Sequence, residues 1–179
     1  MKLSITTIVM LCVLGTPALA DGHAEMPTAR ADIIGIDGTP VGTATMIEAA
    51  GGVLMHIRVE GLPPGKKGLH LHSHASCDAS TGFKSAKGHV GKADGGHGLL
   101  NPAGPEAGDI PNIFIGADGI GEMEAFSTRV SLSGGAHNLL DADGSTFIIH
   151  EKPDDHMTQP IGGAGGRIAC GLIVSAKAR

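Results

Sequence analysis

His70 and His72 stand two apart in Gly-Leu-His-Leu-His, His89 and His97 lie across a glycine-rich stretch, and His150 closes Phe-Ile-Ile-His-Glu. Near the end of the chain, Gly-Gly-Ala-Gly-Gly-Arg-Ile-Ala-Cys carries Arg167 and Cys170. Imidazole nitrogen is the commonest protein ligand for copper and zinc. Residues two apart on a strand share a face, so His70 and His72 can offer two imidazoles to one ion while Leu69 and Leu71 face a core. A lone His-x-His is a weak signal. It gains weight from His89 and His150, each with glycine or a turn nearby that lets backbone approach closely. An arginine beside such a centre suits an anionic substrate.

The elements that must position these side chains read as β. Runs with β-branched residues cover Ala31 to Ile36, Val41 to Ile47, Val53 to Val59, Ile113 to Gly116, Gly121 to Leu132, Thr146 to His150 and Ile168 to Val174. Turn signals such as Asp37-Gly38, Gly51-Gly52, Asp118-Gly119 and Asp143-Gly144 separate them. No long stretch carries a helical period. Short strands at this spacing predict an all-β sandwich or barrel. Two stretches stay outside this pattern, Ser73 to Asn112 and Lys152 to Gly166, and loops that long in a compact β domain usually carry function.

The first twenty residues have a positive start, an apolar core from Ile5 to Leu14 and small residues before Asp21. They read as a secretory signal peptide, with a retained anchor as the alternative. Residues 21–28 then form a polar, mobile segment and residues 29–179 the folded domain, with no membrane span after cleavage. The expected address is periplasmic or secreted. Of three cysteines, Cys12 leaves with the leader. Cys77 and Cys170 remain, and one disulfide is the economical reading in an oxidising compartment, two buried free thiols being the alternative. The 29 glycines, four Phe and absence of Trp and Tyr call for many turns and an aliphatic core. Net charge is −5, and −6 without Lys2, so no basic character points to nucleic acid.

Taken together, these residues resemble the copper–zinc superoxide dismutases, specifically the bacterial exported branch. The resemblance runs from about Ala29 to Ala176 and is most specific at Gly162-Gly163-Ala164-Gly165-Gly166-Arg167-Ile168-Ala169-Cys170-Gly171. Leu140-Asp141-Ala142-Asp143-Gly144-Ser145 leading into His150 is similar to the same branch. It implies a Greek-key barrel of about eight antiparallel strands with two long functional loops. It also implies dismutation of superoxide to dioxygen and hydrogen peroxide at a copper centre cycling between Cu(II) and Cu(I). Copper would be held by His70, His72, His89 and His150, and zinc by His89, His97 and Asp109, with His89 bridging and carrying a proton. Arg167 matches the arginine that guides superoxide, Cys77 and Cys170 the family disulfide, and Asp154 the carboxylate linking a copper histidine to a zinc histidine.

The departures are informative. Glu106 stands where the family has a histidine, three residues before the zinc aspartate. Zinc accepts carboxylate oxygen, so Glu106 is a candidate zinc ligand with added negative charge and a different reach. Val90-Gly91-Lys92 replaces the usual aromatic-Asn-Pro, and Leu69, Ser73 and His74 also differ. His74 is near enough to His72 to compete for metal. His56, His137 and His156 read as surface or loop residues, and if cleavage follows Ala20 the terminus Asp21-Gly22-His23 is an arrangement that can chelate Cu(II), a disordered polar terminus being the alternative. The lysines that assist Arg167, among Lys84, Lys87, Lys92 and Lys152, are not distinguished by sequence, and a homodimer stays open. A non-enzymatic copper-delivery protein, and a copper-only dismutase with a vestigial zinc site, are the rival readings.

Overall fold

The computed structural model describes Met26, residues 28–92 and residues 96–176. The expected leader and the Asp21-Gly22-His23 terminus lie outside these residues. Nine strands form among the described residues: β1 (Thr28–Gly35), β2 (Pro40–Ala49), β3 (Gly52–Val59), β4 (Gly65–Lys67), β5 (Leu69–His72), β6 (Ile113–Ile115), β7 (Gly121–Ser127), β8 (Thr146–His150) and β9 (Arg167–Ala176). They pair antiparallel in the order β4-β6-β7-β3-β2-β1-β9-β8-β5. The two ends of that order, β4 and β5, are consecutive in the chain with Gly68 between them, so the sheet rolls into a nearly closed barrel. No helix is long and apolar enough to cross a membrane among the described residues.

Alternation drives the barrel wall. Ala29, Ala31 and Ile33 of β1, Val41, Ala44 and Met46 of β2, and Val53, Met55, Ile57 and Val59 of β3 point inward and are buried. Each large apolar side chain so buried contributes about 1.5–3 kcal/mol. β5 and β8 break the alternation, with every residue buried. One face of this pair, Leu69, Leu71, Phe147 and Ile149, belongs to the barrel core. The opposite face carries His70, His72, Ile148 and His150, and loops 73–112 and 151–166 cover it.

The nine antiparallel strands agree with the expected barrel of about eight, the short Gly65–Lys67 being the strand that pairs with Ile113–Ile115. Two expectations need correction. The run from Gly121 ends as a strand at Ser127, where the Ser127 hydroxyl accepts the Arg129 amide and turns the chain. Thr28 lies inside β1, with its hydroxyl donating to the Ala176 carbonyl at 2.8 Å, and not in a mobile segment.

Candidate metal centre

Backbone contacts bring the long loop onto β5. Val90 N–H donates to Leu71 O, Leu71 N–H to Gly108 O and Gly108 N–H to Val90 O, each at 2.9 Å. Isolated bridges set His89 against His72 and Asp109 against His70. A Cβ on Gly108 would lie 2.2 Å from Leu71 O, so only glycine permits this three-way approach. From the other side, the Cys77–Cys170 disulfide ties the loop to β9, with Cα atoms 5.6 Å apart and a sequence separation of 93. Phe83 and Ala86 pack with Ile148 and Cys170 in a small apolar cluster beneath it. Cross-linking so long a loop stabilises the fold by about 4–5 kcal/mol in the chain-entropy model.

His70, His72, His89 and His150 are buried, with ring centroids of His70 and His89 4.2 Å apart and of His70 and His150 4.9 Å apart. The nitrogen atoms divide by role. His70 Nε2 meets Asp154 Oδ2 at 2.7 Å, His72 Nδ1 donates to Lys87 O at 2.9 Å, and His150 Nδ1 donates to Gly165 O at 3.1 Å. The other nitrogen of each ring, together with His89 Nε2, is buried with no hydrogen-bond partner. Buried polar atoms are normally satisfied. Four inward nitrogens bare of partners, three of them on rings anchored at the outer nitrogen, therefore suit a metal ion, and nitrogen donors of this kind suit copper. Burial keeps three of these imidazoles neutral: it lowers His70 and His72, and takes His150 to about 3.

On the far side of His89 the donors change. His89 Nδ1 lies 2.8 Å from Glu106 Oε2 and 3.1 Å from Asp109 Oδ1 without hydrogen-bond alignment, as expected of atoms converging on a shared point. His97 Nδ1 lies 2.9 Å from Asp109 Oδ1. Two nitrogens and two carboxylate oxygens, all buried, are a donor set zinc accepts. Burial opposes ionisation of His89, yet the carboxylates of Asp109 and Glu106 outweigh it and raise His89 above its usual range. Burial likewise opposes the charge on Asp109, but His89 and the Gly98 amide hold it below the ordinary carboxylate range. His70, His89, His97 and Asp109 bring ligand atoms within 4.8 Å of one another, as do His70, His72 and His150. His70 is common to both sets, and with Nε2 taken by Asp154 it has Nδ1 left to offer.

Asp154 joins the halves, with Oδ2 on His70 Nε2 at 2.7 Å and Oδ1 on His97 Nε2 at 3.2 Å. Two amide side chains that the sequence did not mark hold this link. Asn112 accepts the Asp154 N–H and donates to the Asp154 carbonyl, both at 2.8 Å. Gln159 accepts the His97 amide at 3.2 Å and donates to the His97 carbonyl at 2.8 Å. A lone Asn or Gln in a loop carries no sequence signal for such a task.

Arg167 donates from Nη1 to Phe83 O at 2.5 Å and from Nη2 to Lys87 O at 2.6 Å. It lines a cleft of about 350 Å3 with His72, His89, Lys84, Lys87, Lys92 and Glu106. Lys152 is absent from that lining and lies 3.8 Å from the Glu151 carboxylate instead. Among the described residues, His56, His74, His137 and His156 belong to neither donor set. His56 is partly exposed on β3 and pairs with Glu122 at 2.7 Å, and His156 meets Asn112 at 3.2 Å.

The sequence pattern of the family described as Copper/zinc superoxide dismutase (SODC) matches residues 40–173, more than half of the chain. The Superoxide dismutase [Cu-Zn] of Caulobacter vibrioides is 50% identical over 140 residues, covering 76% of this chain and 80% of that one. Superoxide dismutase [Cu-Zn] 2 of Aquifex aeolicus is 43% identical over 147 residues, covering 81% and 85%. Among solved structures, a SOD-like protein from Bacillus subtilis superposes with a TM-score of 0.75 at 37% identity, covering 81% of this chain and 97% of that one.

Proposed function

The chain belongs to the copper/zinc superoxide dismutase family, and on that footing we propose which of its residues hold each metal and handle the substrate. The protein dismutes superoxide to dioxygen and hydrogen peroxide with copper and zinc as cofactors. Copper is assigned to His70 Nδ1, His72 Nε2, His89 Nε2 and His150 Nε2, and zinc to His89 Nδ1, His97 Nδ1, Asp109 Oδ1 and Glu106 Oε2. The observation that carries the assignment is the set of four inward imidazole nitrogens, buried and without partners. When bound, copper supplies the one-electron oxidation and reduction that redox-inert zinc cannot.

The chain's own residues do the rest. His89 faces the other copper imidazoles through Nε2 and two carboxylates through Nδ1, so one ring can hold a proton at Nε2 and hand it to the reduced substrate. Asp154 fixes the orientation of His70 and His97 together. Arg167, pinned by two carbonyls, presents a fixed positive charge at the cleft. Burial lowers its guanidinium below the usual arginine range, which still leaves it charged at any physiological pH.

Export belongs to the same proposal. The Cys77–Cys170 disulfide suits an oxidising compartment, and residues 1–20 would direct the chain to the periplasm, leaving the barrel from β1 onward as the folded domain. The metal assignment is tested by the copper spectrum of variants. His150→Ala and His72→Ala should each lose or alter the copper signal while His97→Ala keeps it and loses zinc. An unaltered copper spectrum in His150→Ala would overturn the assignment.

A further inference from the structure

His150 stands where both ladders that flank its strand slip. On the β9 side the register shifts between Ile149 and His150, and the Glu151 N–H donates to Gly166 O at 2.9 Å. On the β5 side the His150 N–H donates to Gly68 O, whereas the Gly68 N–H donates to Lys152 O, both at 2.8 Å. Opposed residues of a regular antiparallel pair exchange both bonds, so the Gly68 N–H would return to His150 O. It goes two residues further instead. Glu151 is therefore looped out of the ladder directly after a copper imidazole, where regular pairing no longer fixes the chain.

Lys67 meets that loop. It ends β4 opposite the buried Ile113 and is itself buried, while its neighbour Lys66 is exposed. Lysine is almost never fully buried unless paired. Among the described residues no carboxylate pairs with it, and its Nζ donates to the Glu151 carbonyl at 2.8 Å. The Glu151 carboxylate lies elsewhere, 3.8 Å from Lys152 Nζ, so Lys67 engages the backbone of Glu151 and not its charge. Such a bond adds little stability, because desolvating the ammonium offsets what the bond gains. What it does fix is the place of one carbonyl.

We propose that Lys67 is a positioning residue of the copper site: by holding the Glu151 carbonyl where both ladders slip, its ammonium sets the backbone from which His150 presents Nε2. The proposal rests on the assignment of His150 to copper.

Two variants of the copper- and zinc-loaded protein separate the bond from the packing. Lys67→Met keeps the length of the side chain and removes the donor, and Lys67→Arg keeps a donor on a stem of similar reach. In Lys67→Met the Cu(II) electron paramagnetic resonance spectrum should shift, and copper should pass to EDTA about tenfold faster, the order expected when a group that orients a ligand is lost. Zinc content should equal the wild type. The melting temperature should stay within about 4 °C of it, since removal of a buried charge offsets the lost bond. Lys67→Arg should keep the wild-type spectrum. A wild-type spectrum with wild-type copper release in Lys67→Met would overturn the proposal. So would a Lys67→Arg spectrum displaced as far as that of Lys67→Met, which would make packing the cause, or a Lys67→Met chain that no longer folds, which would make Lys67 a structural anchor alone. A His150→Ala protein with an unaltered copper spectrum would instead bring down the copper assignment, whatever the Lys67 variants show.

Discussion

Arg167 faces His150 across β8 and β9 because β9 carries one extra residue at that point. Ile149 pairs with Ala169, so an unbroken register would set Ile168 against His150, yet His150 pairs with Arg167. A bulge of this kind re-aims side chains next to a site. Ile168 packs against the barrel core, and Arg167 is delivered to the loop side, where the Phe83 and Lys87 carbonyls receive it.

Arg167→Ala should keep copper, because no copper donor is lost, and should slow superoxide turnover by about tenfold or more. The rate should also become less sensitive to ionic strength. Rates measured across a salt series, with copper counted in the same samples, check this. An unchanged rate removes Arg167 from the reaction.

The metal-free protein should be most stable near pH 6.5. Burial keeps His70, His72 and His150 neutral in the fold, His150 down to about 3, whereas the unfolded chain protonates them below about 6.5. Their contribution is present above that pH and is lost as pH falls, by up to about 1.4 kcal/mol per pH unit for each group. His89 acts in the opposite sense. Burial disfavours its charge, but Asp109 and Glu106 raise it, so its contribution is present below about 6.5 and is lost as pH rises through its folded value. Urea unfolding of chelator-treated protein between pH 5 and 8 reads the curve. Stability that rises from pH 6.5 to 5 would contradict the assigned environments.

Glu106→Ala removes one oxygen from the two-nitrogen, two-oxygen set around His89. Zinc affinity, measured by competition with a chromophoric chelator, should fall by roughly 10–100-fold, with copper affinity nearly unchanged. Equal zinc affinity in the variant would show that Glu106 is no ligand. Glu106→His should bind zinc in its place with nitrogen, giving a cobalt-substituted spectrum distinct from the wild type.

Much of this was legible in the residues, and the omissions have physical causes. β1, β3 and β8 announce themselves because their apolar residues alternate or cluster between turn signals. β4 does not, since Gly65-Lys66-Lys67 has no apolar face and becomes a strand only through Ile113–Ile115. Thr128 to Leu132 has strand-like composition, but its Ser131 bridges Asn138 within a loop. The histidine set could be read because imidazole at those spacings has few other uses. The roles of Phe83 and Lys87 could not, because what they offer is a carbonyl oxygen, which every residue possesses.

Gly162 tests how closely the loop is fitted to Asp154. At φ 59, a Cβ there would fall 1.6 Å from Asp154 Oδ1, so Gly162→Ala must displace the carboxylate that joins His70 to His97. The variant should lose about 1–3 kcal/mol of stability from backbone strain, and zinc should dissociate faster. Thermal melting and zinc release kinetics check the two effects. A variant as stable and as zinc-retentive as the wild type would show that the Asp154 link does not hold the site.

The most direct measurement of the central claim is superoxide dismutation by the purified protein, with copper and zinc counted in the same sample. Copper and zinc in equal amounts, with rapid dismutation abolished in His72→Ala, is the predicted result. Protein that binds copper and leaves superoxide untouched would contradict the account and favour a copper carrier on the same barrel.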